Sequence, residues 1–323
     1  MEWMMMNLLL LPAFVALVFL GLWWFTARTA KKVEQALPAR GRFIDVPGAR
    51  LHVIERGQGP ALLLIHGLGG QSAHYTYGIV DKLAPHFRVI AVDRPGSGYS
   101  SRDAGSSAAL ETQADNMAAL IDQLKLERPF VVGHSLGGAI SLALALAHPE
   151  KVAGLALIAP LTHITDKVSP AFKGLLIQKP WLRTLIAWTM ATPATIMGGE
   201  KMLAEVFGPE PVPADFATRG GGLLTLRPGQ FLAASADIQA LPDSLPQQQV
   251  RYGELKLPVS VLYGRNDRIL DPTENGTDFV AKIKGARLEL VDGGHMLPVT
   301  NPTLTADFIR QAASGVVADG TTV

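Results

Sequence analysis

From Met4 to Phe25 the chain is apolar at every position except Asn7, and Pro12 and Gly21 are the only helix-weakening residues in the run. About 22 residues make a helix of roughly 33 Å, enough to span a hydrocarbon core. A cleaved leader would carry basic residues ahead of a shorter apolar run and small residues at its end. Here Glu2 is the only charge before the run, and Thr26-Ala27-Arg28-Thr29-Ala30 fits a cleavage site poorly. The run predicts an uncleaved N-terminal transmembrane helix rather than a leader or a buried core helix. Trp3, Trp23 and Trp24 lie near its two ends, as interfacial aromatics do. Arg28, Lys31, Lys32, Arg40 and Arg42 all follow the span, so the positive-inside rule holds that flank in the cytoplasm.

Beyond the span the rhythm changes. Ala30 to Arg40 reads as a short polar helix or juxtamembrane linker ending near Pro38. Arg42 to Val46 and Ala49 to Glu55 then alternate around Pro47-Gly48, a hairpin with one half-buried face. Continuous apolar runs follow at Ala61 to Ile65, Arg88 to Val92, Phe130 to Val132, Val152 to Ile158, Pro258 to Leu262 and Ala286 to Val291. Short, rich in Val, Ile and Leu and separated by helix-length segments, they fit parallel strands buried on both faces. Leu110 to Leu124, Leu136 to His148, Glu274 to Ile283 and Leu304 to Ala313 supply the intervening helices.

The alternation stops between Pro160 and Pro258, where prolines are interleaved with helical patterns such as Trp181 to Trp188. A loop of that length is abnormal in a compact domain, so the stretch reads as an inserted helical cap. The expected organisation is an α/β fold with a mostly parallel central sheet flanked by helices. Residues 1–40 are the transmembrane helix and linker, 41–160 and 258–323 the two parts of the core, and 161–257 the cap.

Composition narrows the chemistry. The 323 residues are 18% charged with a formal net charge of +1, which leaves no basic field for nucleic acid. There is no cysteine, so disulfides, thiolate nucleophiles and Cys-based metal sites are ruled out, and either redox compartment is tolerated. The span carries Ala13, Ala16 and Gly21 without a Gly-x-x-x-Gly face, which allows a homodimer without indicating one.

Acyl transfer to a serine requires an exposed hydroxyl, a base, an acid that holds the base's tautomer, and donors for the developing oxyanion. Gly133-His134-Ser135-Leu136-Gly137 sets Ser135 on a sharp turn between an apolar strand and a helix, marking it as the nucleophile. His295, in Asp292-Gly293-Gly294-His295 after the last apolar run, is the expected base. His52, His74, His86, His148 and His163 read as surface or packing residues. Asp267 follows the preceding strand and is the expected acid, with Asp271 and Asp166 as alternatives. The oxyanion donors are assigned to the N–H of Leu136 and of Leu68, the latter in His66-Gly67-Leu68-Gly69-Gly70. No Lys-Ser/Thr follows these glycines, which excludes a phosphate-binding P-loop.

In combination, His66-Gly67, Asp93-Arg94-Pro95-Gly96-Ser97-Gly98-Tyr99-Ser100, Gly133 to Gly138, Gly264-Arg265-Asn266-Asp267 and Gly293-Gly294-His295 resemble the α/β-hydrolase family from about Arg42 to the C-terminal helix. The Ser135, Asp267, His295 order is also the family's. The resemblance implies that Asp93 to Ser100 shapes the floor of the site. With its N-terminal span the chain is similar to membrane-anchored bacterial lipases and phospholipases A, and to monoacylglycerol lipases. Many bacterial hydrolases of that layout act on the outer side of the inner membrane, and a cysteine-free chain suits export, so both sides of the membrane stay open.

The leading expectation is a lipase or esterase acting on a lipid or other acyl ester at the membrane, through an acyl-enzyme on Ser135 and with no metal or organic cofactor. A carbon–carbon bond hydrolase of ring-cleavage products is the second reading, since Gly264-Arg265-Asn266-Asp267-Arg268 and a helical cap also resemble that group. Epoxide hydrolases and haloalkane dehalogenases use a carboxylate where this chain has Ser135. A catalytically idle membrane binder on the same scaffold is the third.

Overall fold

In the computed structural model, which describes residues 2–164 and 169–319 with side chains from Leu11 to Gly315, the apolar run and the polar stretch behind it form one helix, α1 (Glu2–Ala36). The Trp3 side chain and Asp166 therefore lie outside the described residues. No break falls at Ala30, because Ala30 to Ala36 contains neither glycine nor proline and its inner face is buried at Thr26 and Val33. The helix stops just before Pro38, whose ring disfavours helical geometry in the preceding residue. Within α1, Leu11–Ala36 is long and apolar enough to cross a membrane by length and composition, alone among the described residues.

Next come β1 (Arg42–Val46) and β2 (Ala49–Arg56), β3 (Ala61–Ile65), the short helices α2 (Ala73–Thr76) and α3 (Ile79–Leu83), β4 (Arg88–Val92), β5 (Ser101–Arg102), α4 (Leu110–Gln123), β6 (Phe130–His134), α5 (Leu136–Ala147) and β7 (Gly154–Ile158). Helices α6 (Pro180–Trp188), α7 (Ala191–Phe207) and α8 (Pro228–Gln249) intervene before β8 (Val259–Gly264), α9 (Asp278–Val280), β9 (Arg287–Val291), α10 (Leu297–Thr300) and α11 (Pro302–Asp319).

The strands form one mixed sheet in the order β1-β2-β4-β3-β6-β7-β8-β9, with β5 pairing β2 off this path. The hairpin β1/β2 and the β2/β4 pair are antiparallel, and all pairs from β4 to β9 are parallel. Strand alternation sends Leu63, Ile65, Val131 and Val261 into a core shared with α4 and α5, and Leu62, Leu64, Val132 and Leu262 into a second core under α3 and α11. Each fully buried leucine of this kind stabilises by roughly 1.5–3 kcal/mol.

Two expectations are corrected. The run ending at Val291 is an edge strand, and its burial is only partial at Leu288, Leu290 and Val291. The helix expected over Glu274 to Ile283 is a π-turn, Thr273–Thr277, followed by the three residues of α9. Asn275 distorts it: its side-chain oxygen accepts from the N–H groups of Thr162 and His163, which draws this segment onto the strand-β7 loop. Helix α8 runs through Pro242 and Pro246.

Candidate active site

Strands β6, β7, β8 and β9 lie in that order and run parallel, so the loops at their C-terminal ends open along one edge of the sheet. Ser135 lies between β6 and α5 with φ +54° and ψ −121°, a conformation costing about 1–3 kcal/mol for a residue with a side chain. Its neighbours hold it there. The Ser135 N–H donates to Ile158 O at 3.1 Å, and Ser135 O accepts from Gly138 at 2.8 Å and Leu161 at 3.0 Å. A Cβ on Gly137 would stand 2.1 Å from Ile65 O, and one on Gly133 2.5 Å from Ser141 Oγ, so the turn closes only with glycine at both positions.

His295 is buried, and its Nδ1 donates to Asp267 Oδ2 at 2.7 Å. The other Asp267 oxygen accepts from Ile269 N at 2.8 Å and Leu270 N at 3.0 Å, so the carboxylate is clamped from behind. This locks His295 into the tautomer whose Nε2 is bare and able to accept a proton. Asp271 does not share the arrangement: its carboxylate accepts from Thr273 N at 2.7 Å on the exposed side of the loop. Ser135 and His295 face the same cavity, although no hydrogen bond joins their side chains among the described residues. Such bonds often tighten only with substrate bound.

Of the two expected oxyanion donors, Leu136 follows Ser135 directly and Leu68 follows Gly67, on which a Cβ would lie 2.8 Å from Ser135 Cβ. As the first residue of α5, Leu136 has an N–H with no intrahelical partner. The Leu68 N–H donates to no backbone carbonyl among the described residues. Leu68 lines the cavity that Ser135 lines.

That cavity has a volume of about 690 Å³ and is walled largely by the segment between β7 and β8, through residues such as Phe172, Met190, Leu203, Phe207, Phe216 and Leu226. Glu200 is the only carboxylate on its lining and no lysine or arginine reaches it, among the described residues. No group of three His, Asp or Glu side chains is placed to hold a metal ion, again among the described residues.

Of the five histidines expected at the surface or in packing, four keep to that expectation and His74 departs from it by lining the cavity. His86 is exposed, His148 pairs with Asp115 at 2.8 Å, and His163 meets Lys282 Nζ at 2.6 Å. His52 is buried instead, its Nδ1 2.8 Å from Asp93 Oδ2. Burial pushes the Asp93 carboxyl up, but the hydrogen bond from His52, the neighbouring His66 and the Ser72 N–H together outweigh it and hold the group below its ordinary value. Its other oxygen accepts from Ser72 N at 2.6 Å, which ties the Asp93 to Ser100 loop to the floor of the site. His74 lines the cavity, and burial lowers it to about 4, so it is neutral.

Sequence reasoning passed over three residues that touch this machinery. His134 Nε2 donates to the His295 carbonyl at 3.0 Å; burial, then the neighbouring His295, hold the ring well below the usual histidine range and uncharged. Glu210 accepts from Gly294 N at 3.1 Å and braces the loop carrying His295. Gln230, on α8, donates to Gly69 O and Gly70 O at 3.1 and 3.0 Å. His134 stood inside the quoted motif; Glu210 and Gln230 have no local signal, being brought in by the tertiary fold.

Residues 60–302 match the family described as alpha/beta hydrolase fold, a span taking in every strand from β3 onward and Ser135, Asp267 and His295. The chain belongs to that family. Among curated relatives, this hydrolase is 28% identical over 300 residues to 2-hydroxymuconate semialdehyde hydrolase of Pseudomonas sp. strain CF600, covering 88% of this chain and 99% of the relative. It is 27% identical over 279 residues to 2-hydroxy-6-oxononadienedioate/2-hydroxy-6-oxononatrienedioate hydrolase of Escherichia coli K12, with 81% and 91% covered. Among solved structures, it shares its fold with a bacterial membrane phospholipase A at a TM-score of 0.66 and 24% identity, over 98% of this chain and 99% of that one. A thermophilic esterase from Thermogutta terrifontis matches at a TM-score of 0.67 and 23% identity, over 85% and 99%.

Proposed function

We propose that this α/β hydrolase is a membrane-anchored serine carboxylic-ester hydrolase of the lipase or phospholipase A type, with α1 as a single-pass anchor in the cell membrane and residues 161–257 as a cap over the site. The observation that carries the reading is His295, paired with Asp267 at 2.7 Å, facing with Ser135 an apolar cavity of about 690 Å³. A lined volume of that size accepts an acyl chain. His295 Nε2 takes the Ser135 proton as Oγ attacks the ester carbonyl, and the Leu68 and Leu136 N–H groups receive the oxyanion. Collapse returns the proton to the departing alcohol and leaves an acyl-enzyme. Water, deprotonated by His295, then releases the fatty acid.

The relatives' names favour a carbon–carbon bond hydrolase, the second reading. A dienedioate carries two carboxylates, and burying them without cationic partners is expensive. A cavity whose lining holds Glu200 and no lysine or arginine suits an apolar acyl chain better. The apolar helix supports the anchor, as does the membrane phospholipase whose fold aligns with 98% of this chain.

The test is a chain-length series of nitrophenyl esters and lysophospholipids beside a dienedioate substrate, run on the full chain, on Ser135→Ala and on a chain lacking residues 2–22. The reading expects ester hydrolysis to fall about 10³-fold or more in Ser135→Ala, and the truncated chain to leave lipid vesicles while hydrolysing short esters. Faster turnover of the dienedioate, or esters cleaved undiminished by Ser135→Ala, rejects it.

A further inference from the structure

We infer that Arg94 and Gln230 are positioning residues that aim the oxyanion donor Leu68, an inference resting on the serine-hydrolase reading above. In a trans peptide the C=O and N–H point in opposite directions, so whatever grips a carbonyl orients the next residue's N–H. Arg94 grips two successive carbonyls of the loop after β3: Nε donates to His66 O at 3.0 Å and Nη2 to Gly67 O at 3.0 Å. Gly67 O also accepts from His66 Nδ1 at 2.8 Å and from Gly70 N at 3.2 Å. His66 is held in the tautomer this needs, since its Nε2 accepts from Arg94 N at 2.9 Å. The Gly67–Leu68 peptide cannot turn, and its N–H faces away from Arg94 toward the cavity. Gly67 backs directly on the nucleophile: a Cβ there would lie 2.8 Å from Ser135 Cβ.

The guanidinium is fully buried, with its remaining Nη1 on Asp237 Oδ2 at 2.7 Å and Gln113 Oε1 at 2.9 Å. Asp237 is its buried counter-charge and stands on α8. Gln230, two turns earlier on the same helix, clamps the far end of the loop at Gly69 O and Gly70 O, while its own oxygen accepts from Gly98 N at 2.9 Å. The loop's carbonyls are thus held by Arg94 from within the core and by Gln230 from the cavity wall. A planar fork spans two carbonyls at once, which the point charge of a lysine cannot do.

The experiment measures kcat, KM and the affinity of an alkyl trifluoromethyl ketone for Arg94→Lys and Gln230→Met. Ser135 Oγ adds to the ketone carbonyl as its proton passes to His295, and the resulting oxyanion faces the Leu68 N–H. Competent sites are counted by exhaustive labelling with a fluorophosphonate. Positioning predicts that kcat falls at least tenfold per competent site, that ketone affinity weakens by the same factor as kcat/KM, and that KM stays within threefold. A purely structural role would lower Tm and the count of sites while leaving kcat per site unchanged, and that result overturns the inference. Should Arg94→Lys not fold, Gln230→Met decides alone. Wild-type protein left unlabelled at Ser135 would instead sink the serine-hydrolase reading itself, and this inference with it.

Discussion

Asp267→Asn tests the proposed triad most sharply, because the structure dictates which way the new amide must face. Ile269 N and Leu270 N donate to Asp267 Oδ1 at 2.8 and 3.0 Å, so the asparagine keeps its oxygen there and turns its NH2 toward His295. An NH2 group can only donate. His295 Nδ1 must then become the acceptor, which moves the ring proton to Nε2 and removes the lone pair that would take the Ser135 proton. Flipping the amide to restore the tautomer forfeits two backbone hydrogen bonds in a fully buried place, at about 1–3 kcal/mol each. The working tautomer is therefore disfavoured by about 2–6 kcal/mol, or roughly 30- to 10⁴-fold. The assay is kcat on a short nitrophenyl ester together with the rate of fluorophosphonate labelling at Ser135, both expected to drop by that range. Shape is nearly conserved, so the melting transition should stay sharp. Asp271→Asn, which perturbs only an exposed turn, should remain within threefold of wild type. Retention of more than about a tenth of kcat in Asp267→Asn, or an equal loss in Asp271→Asn, would refute the assignment.

Gly137→Ala places a Cβ 2.1 Å from Ile65 O, a backbone atom with nowhere to go, so a loss of stability of about 3 kcal/mol or more and failure to accumulate as soluble protein are expected, read by thermal melting. Ala194→Phe, on the α7 wall of the cavity, should shift the preferred ester toward shorter acyl chains by at least about tenfold in relative kcat/KM, and an unchanged chain-length profile would contradict the assigned acyl site. The buried histidines set a pH response. His66, His74 and His134 are lowered mainly by burial, His74 to about 4, so the unfolded chain takes up protons below about pH 6.5 that the folded chain refuses. Stability is then constant above about pH 7.5 and falls on acidification by up to about 1.4 kcal/mol per pH unit for each histidine. Melting curves at constant ionic strength measure this, and Tm rising between about pH 6.5 and 4.5 would have the wrong sign.

Much of this arrangement is legible before folding because it rests on local rules. The strands at Ala61 to Ile65 and Arg88 to Val92 coincide with uninterrupted apolar runs, since both faces of a central parallel strand are buried. Ser135 and Asp267 follow strands of this kind and His295 follows the edge strand β9, so the loops that carry the proposed triad could be read from the order of the strands. What was missed depends on contacts distant in sequence. The π-turn at Thr273–Thr277 arises from Asn275 bonding residues 112 and 113 positions away. Pro242 and Pro246 look like helix breakers, yet α8 survives them because Ser244, Leu245 and Gln248 are buried around them. Arg94, Gln230 and Asp237 carry no motif that links them, and only the folded chain shows that they meet around one loop.

Helix α8 has a consequence for how such an enzyme could diverge. Phe231 and Ala234 on this helix line the cavity, while Gln230 and Asp237 on the same roughly two turns hold the loop after β3 and the buried guanidinium. Choice of substrate and rate of turnover are thus inscribed on one rigid body. A descendant that widened the cavity through α8 would disturb its own chemistry, whereas one that worked through α7 would not. Drift in substrate range should accordingly accumulate on α7 and leave the inward face of α8 nearly still.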